Sequence, residues 1–146
     1  MTRLPDLFPG LATNGHEITS PATTDYNCIA WAAGDTSAWW EPDAMGLYFW
    51  PLGARREMTV DAYAEAFSSL GYEPCERADL ERGFEKVALY SRAGGPTHAA
   101  RQLADGRWTS KLGQLEDIAH ANLGGLSGDV YGTPTLILRR PTARIP

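Results

Sequence analysis

The sequence holds only two cysteines, Cys28 and Cys75, and three histidines, His16, His98 and His120. Two cysteines make at most one disulfide, and a reducing compartment keeps both as thiols. Neither belongs to a CxxC pair and no histidine falls within ligand spacing of either, so spacing gives no zinc site; only distant histidines converging in space would build one. Long apolar runs are absent too, and none approaches the length of a bilayer span. The opening "MTRLPDLFPGLATNGHE" has no basic region followed by an apolar stretch, so a secretory signal is not expected. The chain therefore reads as cytoplasmic, with signal-independent export the open alternative. Positive charge is scarce: 13 basic against 18 acidic residues give a net charge of -5, which argues against nucleic acid as the partner. Only "LRRPTAR" near the C-terminus is locally basic. Internal repeats, low-complexity tracts and a domain linker are all missing.

What remains is a chain of 146 residues, 43% hydrophobic and 21% charged, the profile of one globular domain able to bury a core without staples. Residues 1 to 24, rich in Pro, Gly and Thr, read as an irregular arm. A first helix is expected from about Tyr26 to Ala33, with Asp25 as its cap and Gly34 as its stop. Residues 35 to 58 are aromatic and broken by Pro42 and Pro51, which predicts a long structured loop with one short strand at "LYFW". Thr59 caps a second helix in which Val60, Tyr63, Ala64, Phe67 and Leu70 recur at helical spacing before Gly71 ends it. Strands are expected at 84 to 91, 98 to 103, 107 to 112 and 133 to 140. Asp105-Gly106 signals a two-residue hairpin between the middle two, and "QLEDIAHANL" reads as a third helix. Helices first and an antiparallel sheet afterwards predict an α+β fold.

The chemistry concentrates in "TTDYNCIAWAAG", which sets Cys28 in the first turn of a helix. Unpaired N–H groups there stabilise a thiolate, so Cys28 is expected to be a low-pKa thiol. A thiol nucleophile also needs a base, and His98 opens a strand from which its ring can reach a helix terminus. His16 reads as solvated and His120 as a surface residue of the third helix. A third group must orient the imidazole; the hairpin returns the chain through "WTSKLG", which offers Thr109, Ser110 and Gln114, with Asp117 available from the segment beyond. Cys75 reads as structural.

This order of parts resembles the papain-like cysteine peptidases and the NlpC-type cell-wall amidases. The resemblance is carried by "DYNCIAWA", "THAARQL" and "SKLG", and by the closing "VYGTPTLILRR", which is similar to the last core strand of papain-like enzymes. It implies a helix bearing the Cys packed on an antiparallel sheet, with Cys28 as nucleophile, His98 as base and Ser110 at the orienting position. The Gln that completes the oxyanion hole in papain-like enzymes falls here on Ala22, leaving Asn27 or Tyr26 as substitutes. "YNCIAWA" and "WTSKLG" together also resemble a group of small bacterial proteins, a resemblance that implies no substrate; a small bacterial hydrolase of this kind would suit a toxin or effector role.

Of the aromatic residues from 31 to 50, Trp39 and Trp40 in "WWEP" are expected, with Asn27, to line a substrate cleft. Glu116 and Asp117 read as a solvated helix face. The resulting expectation is a cysteine hydrolase that acts on an amide bond of a peptide or protein through an acyl-enzyme, needs no cofactor and engages no membrane. The alternative is a non-catalytic binding module that uses the aromatic loop 39 to 50. The sequence sets no oligomeric state.

Overall fold

The computed structural model describes residues 4–142; the last two residues of "LRRPTAR" lie outside them. Among the described residues, seven strands form one antiparallel sheet: β1 (His16–Ser20), β2 (Glu73–Cys75), β3 (Phe84–Arg92), β4 (Gly95–Gln102), β5 (Trp108–Lys111), β6 (Asp117–His120) and β7 (Thr133–Pro141). Their order is β1-β6-β5-β4-β3-β7-β2. Strands β3 to β6 run as a meander, and β7 returns to the free side of β3. The helices are α1 (Leu4–Leu7), α2 (Gly10–Asn14), α3 (Cys28–Ala32) and α4 (Val60–Ser68), with a 3-10 turn at Leu123–Leu126. This is the expected mixture of helix and antiparallel sheet. Among the described residues, no helix is long and apolar enough to cross a membrane.

Both faces of the sheet are covered, so β3 carries the unbroken apolar run Val87-Ala88-Leu89-Tyr90 rather than an alternating one. Val87 and Leu89 face a core with α3, α4, Trp40 and Trp50. Ala88 and Tyr90 face a second core with Leu4, Phe8, Leu11, Trp108 and Ile118. The second core corrects the expectation of an irregular arm over residues 1 to 24. Leu4, Phe8 and Leu11 recur at helical spacing and close that face, a pattern masked in the sequence by Pro5, Pro9 and Gly10. At Gly10 a Cβ would sit 2.6 Å from the Gly124 carbonyl oxygen, so glycine is what lets α2 pack on the 3-10 turn. Chain residues 16 to 20 then pair with β6 as an edge strand.

The third helix expected over 114 to 123 is instead a hairpin partner and a 3-10 turn. Lys111 pairs with Asp117 and Trp108 with His120, and Gly113 at φ 62° makes the reversal. Leu, Glu and Ala favour a helix, but Ile118 and His120 must enter one core while Asp117 and Ala119 enter the other, and only a period of two does this. The cap of α3 is Asn27 and not Asp25. The hairpin after β4 closes on Leu103 and Arg107, whose N–H to carbonyl bond is 2.7 Å, so its loop is three residues long, with Gly106 at φ 92° in the left-handed position such loops require.

Candidate functional site

Helix α3 is held at its start by Asn27. Its side-chain oxygen accepts from the Ala30 and Trp40 amides, each at 3.2 Å, and its Nδ2 donates to the Trp40 carbonyl at 2.6 Å. One side chain thus caps the helix and staples the aromatic loop beside Cys28, the first helical residue. The Asn27 side chain is held in place by these bonds, with one Nδ2 donor on Trp40, and the Tyr26 hydroxyl is committed to Asp117 at 2.7 Å. Trp40 is core, 5% exposed, with its indole N–H on Asp35 at 2.8 Å; Trp39 is half-buried and donates to Glu41. The loop's exposed surface comes from Met45, Leu47, Tyr48, Phe49 and Leu52.

The Cys28 thiol is half-buried and free. Burial pushes its pKa up to about 11, against the downward pull of the amides of Ala99, Ile29 and Cys28 itself and of the Lys111 charge. The expected low-pKa thiol is therefore corrected: the first-turn N–H groups are present, but loss of water outweighs them. Lys111 is itself fully buried, with its ammonium on the carbonyls of Thr23, Gly113 and Leu115 at 2.8, 2.6 and 2.5 Å. Asp117, expected on a solvated helix face, is fully buried on this side of the sheet.

Strands β4 and β5 pair only at Arg101–Thr109 and Gln102–Trp108. Beyond those pairs they part, β4 staying with β3 and β5 with β6. At the fork the Ala99 amide turns to the Cys28 thiol. His98, one residue earlier, lies across from Tyr90 and so directs its ring toward the second core. The ring is fully enclosed, stacked on Tyr131 at 4.1 Å and 11° and met edge-on by Tyr90 at 5.3 Å. The phenol of Tyr131 is pushed up, chiefly by burial.

His98 Nε2 is 3.0 Å from Ser110 Oγ. Ser110 Oγ is 2.8 Å from His120 Nε2, and His120 Nδ1 is 2.9 Å from the Asn122 carbonyl oxygen. His98 Nδ1 is buried and has no hydrogen-bond partner. Burial holds His98 well below the ordinary histidine range, and the neighbouring His120 adds to the shift; burial also lowers His120, partly offset by its bond to Asn122. Both rings are neutral at neutral pH. The structure thus joins His98 to Ser110 and not to Asp117, and sets Cys28 against the adjoining Ala99. Among the described residues, no hydrogen bond links the thiol to His98. His120, expected as a surface residue of a third helix, is instead 1% exposed on β6, and the signal for it was the alternation Ile118, His120 after a Gly-containing turn; Tyr131 and Lys111 were not singled out from the sequence. Cys75 is half-buried in β2, with its thiol 3.6 Å from the Arg77 carbonyl. No group of three or more His, Cys, Asp or Glu among the described residues could hold a metal ion.

Residues 17–139 match the model of a family described as "Domain of unknown function (DUF7689)". No curated protein and no solved structure matches the chain.

Proposed function

The chain belongs to the DUF7689 family, and we propose that it is a cysteine hydrolase of papain-like or NlpC-like arrangement that cleaves an amide bond of a peptide or protein in the cytoplasm. The observation that carries the reading is His98: a buried, neutral imidazole with Nε2 held by Ser110 and Nδ1 left without a partner, one residue from the amide that faces the Cys28 thiol. A buried nitrogen without a partner costs stability, and a catalytic role is one account of it.

The pKa directions support general-base catalysis from a neutral pair. With thiol and imidazole both neutral, there is no standing thiolate, so His98 Nδ1 takes the proton as Cys28 Sγ attacks the amide carbonyl. The imidazolium then delivers that proton to the leaving nitrogen, the C–N bond breaks and a thioester remains on Cys28. Water, deprotonated by His98, attacks the thioester, the acid departs and the thiol recovers its proton. The Cys28 thiol packs against the first core and the His98 ring lies against Tyr90 and Tyr131 of the second, so the reading requires the fork between β4 and β5 to bring the two together as substrate binds, catalytic contacts often tightening only in that complex. The Cys28 amide, free at the first helical position, donates to the developing oxyanion.

The second reading, a binding module without turnover, is favoured by the exposed apolar side chains of residues 45 to 52. Peptide amides carrying a fluorescent amine, presented to the wild-type chain and to Cys28→Ala, separate the two. The hydrolase reading expects amine release, and a thioester on Cys28 by intact mass after acid quench, both lost in Cys28→Ala. Saturable peptide binding that needs Leu47 and Phe49, with neither amine nor thioester across the panel, would sink it.

A further inference from the structure

The hydrogen-bond chain beneath His98 has a direction that chemistry fixes from its far end. A backbone carbonyl only accepts, so the Asn122 oxygen, 2.9 Å from His120 Nδ1, puts the proton of His120 on Nδ1. Neutral His120 then has a bare Nε2, which can only accept. Ser110, 2.8 Å away, must give its single hydroxyl proton to that nitrogen. Its oxygen, with no proton left to offer, accepts from His98 Nε2 at 3.0 Å. His98 Nε2 therefore carries the proton and Nδ1 is bare. No step in this chain has a second solution while His120 is neutral.

We infer that His120 is a positioning residue: acting through Ser110, it fixes the proton of His98 on Nε2 and leaves Nδ1 as the base. The inference rests on the hydrolase reading and names a part of the site that reading does not require. The serine hydroxyl alone could rotate and donate to His98 instead, which would put the wrong nitrogen forward; His120 removes that freedom. The burial of the chain supports the role, since His98, Ser110 and His120 are at most 1% exposed and bulk water does not compete for the bonds that join them. The Tyr90 hydroxyl donates to the Leu123 carbonyl at 2.7 Å and the Asn122 side chain accepts from the Gly125 amide at 3.1 Å, so the turn that presents the Asn122 carbonyl is itself tied down.

The test is long-range proton–nitrogen correlation NMR on the full chain labelled with nitrogen-15 in histidine, near neutral pH. The expected spectrum has His98 protonated on Nε2 and His120 on Nδ1. In His120→Phe, which removes the acceptor, His98 is expected to become a mixture of tautomers, and in His120→Gln, whose amide oxygen can take the Ser110 proton, to recover the Nε2 form. Turnover in His120→Phe should fall about tenfold in kcat with KM unchanged, less than the 100-fold or more expected for loss of the base itself. Thermal melts check folding, and the wild-type spectrum decides the question even if a variant does not fold. Protonation of wild-type His98 on Nδ1, or an unchanged His98 spectrum in folded His120→Phe, would overturn the inference. A wrong tautomer with thioester still forming on Cys28 defeats the relay alone; the stated tautomers with no thioester defeat the hydrolase reading alone.

Discussion

The raised pKa of Cys28 predicts a thiol that reacts late in a pH series. Burial pushes it up from 9.0 to about 11. Near pH 7.5 that rise leaves about 100-fold less thiolate than in the unfolded chain. The surviving thiolate is more basic and so more nucleophilic; a Brønsted slope of about 0.4–0.5 returns about 6- to 10-fold. The net expectation is exchange with a small disulfide about 10- to 16-fold slower than at Cys28 in denaturant, before any steric factor. Steric shielding lowers the rate equally at every pH and does not move the pH at which it levels. The assay is therefore a rate profile, read by mass spectrometry on Cys28 peptides from native and denatured chain. In the native chain the rate should climb tenfold per unit through about pH 10, while the denatured chain levels near 9.0. A native plateau at or below pH 9.0 would mean that the amides of Ala99, Ile29 and Cys28 outweigh desolvation, and that catalysis starts from a thiolate–imidazolium pair.

Three further outcomes follow from the same geometry. His98 and His120 are both depressed by burial, so the unfolded state binds more protons below its pKa of about 6.5; stability is fully present above that pH and falls by up to about 1.4 kcal/mol per unit for each ring as pH drops, readable as urea midpoints between about pH 7 and 5. Trp40→Ala should cost about 3 to 5 kcal/mol as a core truncation, whereas Leu47→Ser, at a side chain 77% exposed, should leave the melt within about 0.5 kcal/mol; equal losses would mean that the loop is packed throughout. Gly132→Ala would set a Cβ 2.0 Å from the Ser91 carbonyl oxygen at φ +74°, so it should destabilise the chain and shift the ring resonances of Tyr131 and His98 together.

Elements with one solution were legible in the sequence. Thr59 caps α4 through the Ala62 amide at 3.1 Å, and β3, β5 and β7 lie where alternation and turns put them, whereas β4 begins three residues earlier, at Gly95, and holds His98 inside the strand and not at its start. The failures share a cause. Segment 114 to 123 has helical propensity, and it becomes a strand only through its hairpin with β5 and its pairing with β1, distant in the chain. Residues 1 to 20 are too interrupted to show their apolar spacing, yet Leu4, Phe8 and Leu11 are required to close the face that holds His98. Strand β2 is three residues at the sheet edge, with Pro74 in the middle of it, a position that edge strands tolerate. The site suffered most from the misread segment, because His120 and Asp117 both lie on β6 and neither could be placed on a face of the sheet while that stretch was taken for a helix.

A single residue of loop length decides which side chain His98 meets. Paired residues across a hairpin share a face, and a two-residue loop at Asp105-Gly106 would pair positions summing to 211, setting His98 with Thr109 and Lys111 and sending Ser110 to the other side. The observed loop pairs Arg101 with Thr109 and Gln102 with Trp108, a sum of 210, so the even residues Trp108, Ser110 and Leu112 share the face of His98. Ser110 is then the diagonal neighbour of His98, at the distance where a hydroxyl and an imidazole meet. The next hairpin pairs Ser110 with Ile118 and Trp108 with His120, which brings His120 onto that face and turns Asp117 to the Tyr26 and Lys111 side. The choice between a serine and a carboxylate beneath the imidazole was thus made by the backbone: had Gly106 not supplied the left-handed position that a three-residue loop demands, the relay of His98, Ser110 and His120 would have been divided between the two faces of the sheet.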